Sequence, residues 1–360
     1  MDGFQNITVN SNKSEMNGTV EWRSPSNIAL IKYWGKSGDQ IPMNPSISMT
    51  LKYAFTQTEI EWSPRENSNE KVFDFYLSGD KVSSGFESKV KALIGRFALK
   101  YPVLNKLFFT IKSLNTFPHS TGIASSASGM SALALALLSV VKETSDFGGN
   151  YDDFTKEASY FSRLGSGSAC RSLYGPYAIW GSGTSGIGND EYAVPFHPHN
   201  DFLRIFDSIL IFSKKPKKVG STLGHSLMND HPYRNGRIEQ VHKNMERLLP
   251  AMEQGDFDTW QQVVENEAMS LHGLMMASST PVMLLAPETI RFLNDLEDFR
   301  TGKGLKVAYT IDAGPNVHLL YALEHREIIQ DFISNWVMDS KLNMDVIDDE
   351  TGMGPKQLFE

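Results

Sequence analysis

Pro118-His119-Ser120-Thr121-Gly122-Ile123-Ala124-Ser125-Ser126-Ala127-Ser128-Gly129-Met130-Ser131 runs straight into Ala132-Leu133-Ala134-Leu135-Ala136-Leu137-Leu138. A loop of small residues thus opens an apolar, strongly helical segment. The first N–H groups of a helix have no intrahelical partners. With the positive end of the helix dipole they make an anion site. Gly122 and Gly129 let a ligand approach the backbone closely. Ser125, Ser126 and Ser128 add hydroxyls that can bond phosphate oxygens or a metal. A polyphosphate suits such a loop, although the same residues also serve as plain caps and packing points. No Gly-Lys-Ser/Thr follows the glycines and the GxGxxG spacing is absent, so a nucleotide held here belongs to neither of those phosphate-binding folds.

Outward from the loop, strands are expected at 47–62, 72–77 and 107–113, with Val20 to Trp34 extended around Pro25. Residues 56–62 alternate as Thr-Gln-Thr-Glu-Ile-Glu-Trp. Helical spacing predicts helices over 87–99, 129–143 and 153–164, the last capped by Asp152 or Asp153. Short strands follow at 177–180 and 192–194, with the Gly/Ser tract 181–188 as a hairpin loop. After Asp201 the expected order is a strand at 206–213, helices at 237–255, 257–277 and 287–300, strands at 306–311 and 318–322, and a helix at 326–338. Strands and helices mix without strict βαβ alternation, which predicts α+β layers.

The chain has 360 residues, 41% of them hydrophobic and 21% charged, enough for two domains with real cores. The net charge of -8 argues against general nucleic-acid binding. Local lysines and arginines can still make a positive pocket for an anionic substrate. A single cysteine, Cys170, excludes an intrachain disulfide and a Cys-rich zinc site. The polar first residues show no secretory signal, and no apolar run of membrane-spanning length is evident, so a cytoplasmic protein is expected.

Three further segments are dense in functional residue types. Ser26-Asn27-Ile28-Ala29-Leu30-Ile31-Lys32-Tyr33-Trp34-Gly35-Lys36 puts two lysines and a phenol around a glycine, able to hold an anion. Gly165-Ser166-Gly167-Ser168-Ala169-Cys170-Arg171-Ser172 sets a guanidinium among hydroxyls and free amides. Cys170 reads there as a buried small hydrophobe. Tyr309-Thr310-Ile311-Asp312-Ala313-Gly314-Pro315-Asn316 ends an apolar strand on a carboxylate, which can act as base or orient a hydroxyl in phosphoryl transfer. Elsewhere the bland readings prevail. The run Lys214-Lys215-Pro216-Lys217-Lys218 is a solvated loop, Met269, Met275, Met276 and Met283 are core packing, and His225, His231 and His242 are too scattered for a metal site.

These segments together, with Asn44-Pro45-Ser46-Ile47-Ser48-Met49-Thr50-Leu51 and Phe117-Pro118 before the loop, resemble the diphosphomevalonate decarboxylases of the GHMP kinase superfamily. The resemblance runs from about Val20 to about Pro355, and Lys-Tyr-Trp-Gly-Lys and Gly-Ser-Gly-Ser-Ala-Cys-Arg mark the decarboxylase branch. It implies an N-terminal domain over 1–200, like ribosomal protein S5 domain 2, and a C-terminal ferredoxin-like domain over 201–360. It also implies ATP and Mg²⁺, phosphorylation of the 3-hydroxyl of 5-diphosphomevalonate, then loss of phosphate and CO2, in a homodimer.

By that resemblance Asp312 faces the hydroxyl, Arg171 holds the carboxylate, and Asn27 and Lys32 orient the centre. Tyr33, Trp34, Gly35, Lys36, Ser166, Gly167, Ser168, Ala169 and Cys170 line the substrate. Ser120, Gly122, Ile123, Ala124, Ser125, Ser126, Ala127 and Ser128 bind ATP, with Ser126 toward Mg²⁺. Ser88 and Met228 stand where many relatives carry Arg and Thr near the substrate, and Leu271-His272-Gly273-Leu274 replaces a more usual Asn-x-Phe-His-Ala. A decarboxylase of the 5-phosphate, a mevalonate 3-kinase or a silent nucleotide-binding protein are the alternatives.

Overall fold

The computed structural model describes residues 16–67, 71–81, 85–118, 123–145, 147–183, 186–214 and 221–359. Strand β1 (Gly18–Ile31) passes through a small hairpin, β2 (Lys36–Ser37) and β3 (Ile41–Pro42), into the long β4 (Ser46–Pro64). β1 and β4 pair antiparallel from Gly18↔Trp62 to Ile31↔Ile47. The alternation read at 56–62 decides the faces: Thr56, Thr58, Ile60 and Trp62 are buried, and the intervening residues are not. β5 (Phe73–Leu77), β6 (Asp80–Lys81) and β7 (Leu107–Asn115) extend the sheet, and β8 (Tyr177–Trp180) and β9 (Val194–Phe196) form the expected hairpin on the upper part of β4.

Helices α1 (Gly85–Lys100), α2 (Ser125–Thr144) and α3 (Tyr151–Gly165) cover one face of this sheet. α2 starts four residues before the expected 129, because the serines join its first turn. It is long and apolar enough to cross a membrane, contrary to the sequence expectation, yet 83% of that stretch is buried against β1, β4 and α3. α3 is capped by Asn150 rather than Asp152 or Asp153. Asn150 accepts from the Asp153 N–H, and the Asp153 carboxylate accepts from the Asn150 N–H.

The second sheet comprises β10 (Ile205–Ile211), β11 (Val307–Ile311), β12 (Val317–Ala322) and β13 (Asp345–Glu350), in the order β11-β12-β10-β13 and all antiparallel. Between β10 and β11 come α4 (Ser221–Ser226), α5 (Arg234–Gln254), α6 (Phe257–Met276) and α7 (Pro287–Arg300), and α8 (Arg326–Ser340) joins β12 to β13. This is the β-α-β-β-α-β order of a ferredoxin-like layer. α4, β13 and β14 (Lys356–Phe359) had no sequence signal. β13 is acid-rich because its acids have tertiary work: Asp349 accepts from the Lys52, Tyr53 and Ala54 N–H groups where β4 bends.

The two halves share material. β14 returns to pair with β1, and one apolar core joins Ile28, Leu30 and Ile47 of the first sheet to Ile205, Ile209, Ala308 and Leu320 of the second, with Val241 and Trp260 of α5 and α6. β1 is therefore held between β14 and β4 in its own sheet, while Ile28 and Leu30 pack in the core shared with the second sheet. Of the four methionines assigned to core packing, only Met275 is buried. Met269, Met276 and Met283 are exposed, contrary to the core-packing expectation.

Candidate active site

Lys32 is the first residue past β1, Asp312 the first past β11, and Arg171 lies in the 3-10 turn Gly167–Leu173 that follows α3. The sequence separates them by well over a hundred residues, and the fold brings them to one cleft. Lys32 Nζ donates to Asp312 Oδ1 and to the Ala29 carbonyl, both at 2.8 Å. The lysine is buried, whereas the Asp312 side chain keeps 26% of its surface open. Burial draws the Lys32 pKa down, and Asp312 opposes that shift. Asp312 is thus an accessible carboxylate with a dry cation behind it.

β11 is held where it delivers Asp312. The Glu265 carboxylate of α6 takes two bonds from Arg300 of α7 and one from the Tyr309 N–H. Thr310, on the same side of β11 as Asp312, donates to the Ala29 carbonyl at 3.3 Å and ties the strand to β1.

Arg171 is buried, and its guanidinium is distributed over neutral oxygens: Ser48 Oγ at 3.0 Å, Ser46 Oγ at 2.5 Å and Asn27 Oδ1 at 3.5 Å. Among the described residues no carboxylate lies within 4.0 Å of it in an ion pair. A buried guanidinium stays charged, so it leaves a strong demand for an anion. Asn27 is fixed in turn by the Ser168 carbonyl and the Ser172 hydroxyl. Cys170 points away into the core. Its thiol donates to the Gly167 carbonyl and burial pushes it up to about 12, so it has no thiolate to offer.

Tyr33 stands against Trp180 and His225, with ring centroids 4.7 and 4.2 Å away. A side chain at Gly167 would meet Trp180 at 2.8 Å and the Tyr33 oxygen at 3.0 Å, so glycine is required there. Among the described residues, the buried Tyr33 hydroxyl and Trp34 Nε1 have no hydrogen-bond partner. The Gly35 N–H donates to His225 Nδ1 at 3.0 Å. His225, one of the three histidines expected to be too scattered for a metal site, thus lies in this cleft. It packs on Tyr33 and Trp34, and burial beside Lys36 and Arg171 holds its pKa down to about 3, so it is a neutral acceptor. Only tertiary contact could reveal it, because α4 carries no local signal. His231 and His242 lie apart from this cleft: His231 bonds the Leu274 carbonyl.

Lys36 is half-buried and bonds Gln40 Oε1 at 2.8 Å. Its pKa falls through burial and through Lys89 of α1. Arg96, two turns further along α1, pairs with Asp39 of the β2–β3 hairpin at 2.8 Å and so brings that face of α1 to Lys36. Lys89 was missed by sequence reading. Its neighbour Ser88 is exposed, and Met228 is buried with Trp34, Leu271 and Met275 behind Gly35. His272 of α6 is buried beside Lys32 and the Asp312 backbone. Burial and Lys32 hold its pKa down to about 4.

The small-residue loop faces the same cleft with only part of its residues. Ala124 adopts a left-handed conformation as the N-cap of α2 and supplies no capping side chain. Ser126 Oγ lies 3.4 Å from Ser166 Oγ, which joins the loop to the Arg171 turn. Ile123 and Ala127 are buried in the core, and the Ser128 hydroxyl bonds Thr56 Oγ1 at 2.7 Å. Ser128 therefore has no hydroxyl for a ligand, contrary to the sequence expectation. Ser120 and Gly122 lie outside the described residues, as do Lys215, Lys217 and Lys218, whereas Lys214 pairs with Asp345.

Two family models match in tandem: the diphosphomevalonate decarboxylase-like N-terminal domain over residues 24–193 and the mevalonate 5-diphosphate decarboxylase C-terminal domain over 208–355. The diphosphomevalonate decarboxylase of Saccharomyces cerevisiae is 31% identical over 335 residues, covering 88% of this chain and 81% of that protein. The crystal structure of mevalonate diphosphate decarboxylase from Staphylococcus aureus superposes with a TM-score of 0.82 at 28% identity, over 96% of this chain and 99% of that one. A structure of MDDEF in complex with MVAPP, AMPPCP and magnesium matches with a TM-score of 0.81 at 26% identity, over 95% and 99% of the two chains. Shared sequence along nearly the whole length, on a shared GHMP kinase fold, makes this chain a member of the diphosphomevalonate decarboxylase family.

Proposed function

We propose that this chain converts 5-diphosphomevalonate, ATP-dependently, into isopentenyl diphosphate, CO2, ADP and phosphate. One observation carries the reading: a buried Arg171 bonded only to neutral oxygens stands across the cleft from an accessible Asp312 backed by Lys32. The lone guanidinium suits a carboxylate, and the Asp312–Lys32 pair serves a hydroxyl.

Asp312 orients the tertiary 3-hydroxyl and takes up its proton as the oxygen attacks the γ-phosphorus and ADP departs. Lys32 keeps Asp312 ionised for that role. The new phosphate, a far better leaving group than hydroxide, then departs with the C–O electron pair, and the tertiary carbon bears the positive charge that develops. The C–C bond to the carboxylate supplies the electrons of the new double bond, and CO2 is released. Arg171 aligns the carboxylate before this fragmentation. Lys36, with Lys89 near it, meets the charged tail, and Tyr33, Trp34, Gly35, Ser166, Gly167 and Ser168 shape the wall. The first turn of α2, with Ser125 and Ser126, receives the triphosphate.

The described residues contain no group of three His, Cys, Asp or Glu suited to a metal. Mg²⁺ carried by the triphosphate would be held from the protein side by the Ser126 hydroxyl, and would supply charge neutralisation for the phosphoryl transfer. We extend the proposal to a cytoplasmic homodimer on the family resemblance alone, to be checked by sedimentation.

The exposed Ser88 and buried Met228 favour a second reading, a decarboxylase of the 5-phosphate or of mevalonate itself. A panel of mevalonate, its 5-phosphate and its 5-diphosphate, scored for CO2 and ADP, separates the readings. CO2 and ADP in equal amounts from the diphosphate are expected. ADP without CO2 would leave a 3-kinase, and silence on all three would remove the enzymatic reading. Asp312→Ala should lower kcat by at least ~10³-fold with an unchanged circular dichroism spectrum. Turnover near wild type would take Asp312 out of the reaction.

A further inference from the structure

Lys32 is gripped at both ends of its peptide unit by side chains from two helices. Its N–H donates to Glu267 Oε2 of α6 at 2.9 Å, and its carbonyl accepts from Arg237 Nη2 of α5 at 3.3 Å and from Asn44 Nδ2 at 3.0 Å. Glu267 and Arg237 are joined by a two-point fork at 2.8 and 2.6 Å, and Asn244 adds a third bond to the carboxylate at 2.7 Å. Both side chains are essentially without solvent exposure. Removing either partner of such a pair leaves a buried charge, and the pair as a whole adds little net stability. Its geometry nevertheless lands on the backbone of one residue at the cleft.

We propose that Glu267 and Arg237 are positioning residues of the reaction, fixing the Lys32 backbone so that its ammonium meets Asp312. The inference rests on the function proposed above. The chain leaves β1 at Ile31, so nothing in the strand ladder orients Lys32. The fork supplies that orientation, and the negative charge of Glu267 also favours the ammonium form. The charged and titratable groups facing Lys32 are Asp312 past β11, Glu267 and His272 of α6, Arg237 of α5, Arg171 of the 3-10 turn and Asp207 of β10. Asp312 and Glu267 raise the affinity of Lys32 for its proton, while burial and Arg171 lower it.

The test measures kcat, both KM values and the pH profile of kcat for Glu267→Gln, with Lys32 titrated by NMR in ¹⁵N-lysine-labelled full-length protein. Expected are a fall in kcat of at least tenfold, KM values within twofold, and an alkaline limb and Lys32 midpoint lowered by about one pH unit. If Glu267→Gln does not fold, the double variant Arg237→Met/Glu267→Leu replaces the pair with apolar groups of similar size. It should fold and show the same kcat loss and the same shift. A folded variant of either kind with wild-type kcat and an unmoved Lys32 midpoint overturns the inference. If the wild type turns over none of the mevalonates, the proposed function fails, and the NMR midpoint still decides the role of Glu267.

Discussion

Lys32 and Arg171 are both buried cations, and the protein treats them differently. Lys32 has Asp312 at 2.8 Å, whereas Arg171 has serine and asparagine oxygens. The difference separates a cation paired with a carboxylate from one bonded to neutral oxygens. Two neutral histidines stand beside these cations. His225 is held down to about 3 and His272 to about 4, both mainly by burial. In the unfolded chain a histidine takes up a proton below roughly pH 6.5. The folded state refuses that proton until far lower pH, so the unfolded state binds more protons in between. Stability from these residues is complete above pH ~6.5 and drains away as pH falls toward the folded values, by ~3 kcal/mol for His272. The urea midpoint should therefore fall between pH 7.5 and pH 5, and His225→Gln and His272→Gln should each flatten the slope. Glu265 and Asp349, whose pKa values burial raises, are present in every protein compared, so the difference isolates the histidine. Equal slopes in wild type and variants would show that these imidazoles titrate normally.

Among the elements, α3 connects sequence to site most directly, because the Arg171 turn follows it. Its helical span was legible from apolar spacing, and its last residue, Gly165, is where the catalytic-looking Gly-Ser-Gly-Ser begins. Its start was legible only as an acid-rich patch. Asn150 and Asp153 share one reciprocal box, and sequence alone does not say which of them occupies the cap. Asn150→Ala should cost ~1 kcal/mol, read as a lower urea midpoint. kcat and KM should stay within twofold, since the cap lies at the opposite end of α3 from Ser166. A change in kcat would mean that the α3 start is coupled to the cleft. α2 was read with less success. Its composition predicted a helix with a phosphate-binding mouth, but helical geometry turns Ala127 and Ser128 into the core and leaves Ser125 and Ser126 partly open. A loop motif identifies residue types, whereas the first turn of the helix decides which of them face outward.

At the scale of the molecule, local signals found most strands and helices, and ordered motifs found the site. Contacts that exist only after folding were invisible: His225 against Tyr33, Lys89 near Lys36, and the Arg237–Glu267 fork under Lys32. The same holds for β14. Its four residues carry no strand pattern of their own, yet they close the edge of β1 by pairing Glu21↔Phe359, Trp22↔Gln357 and Arg23↔Lys356. β1 also carries Asn27 and leads into Lys32, so the edge strand supports the element that supplies part of the site. Removing residues 355–360 would expose a row of unpaired backbone groups on β1, where further chains can add. The truncated chain should melt lower by several degrees, since ~1 kcal/mol shifts Tm by about 2–4 °C in domains of ~200 residues. It should also aggregate faster on heating. At 20 °C its KM values should match the full chain, because the lost pairs lie at the strand's first half, away from Lys32. An unchanged Tm would show that β1 is held by β4 and the shared core alone. An altered KM at full folding would instead place the edge strand in control of the cleft.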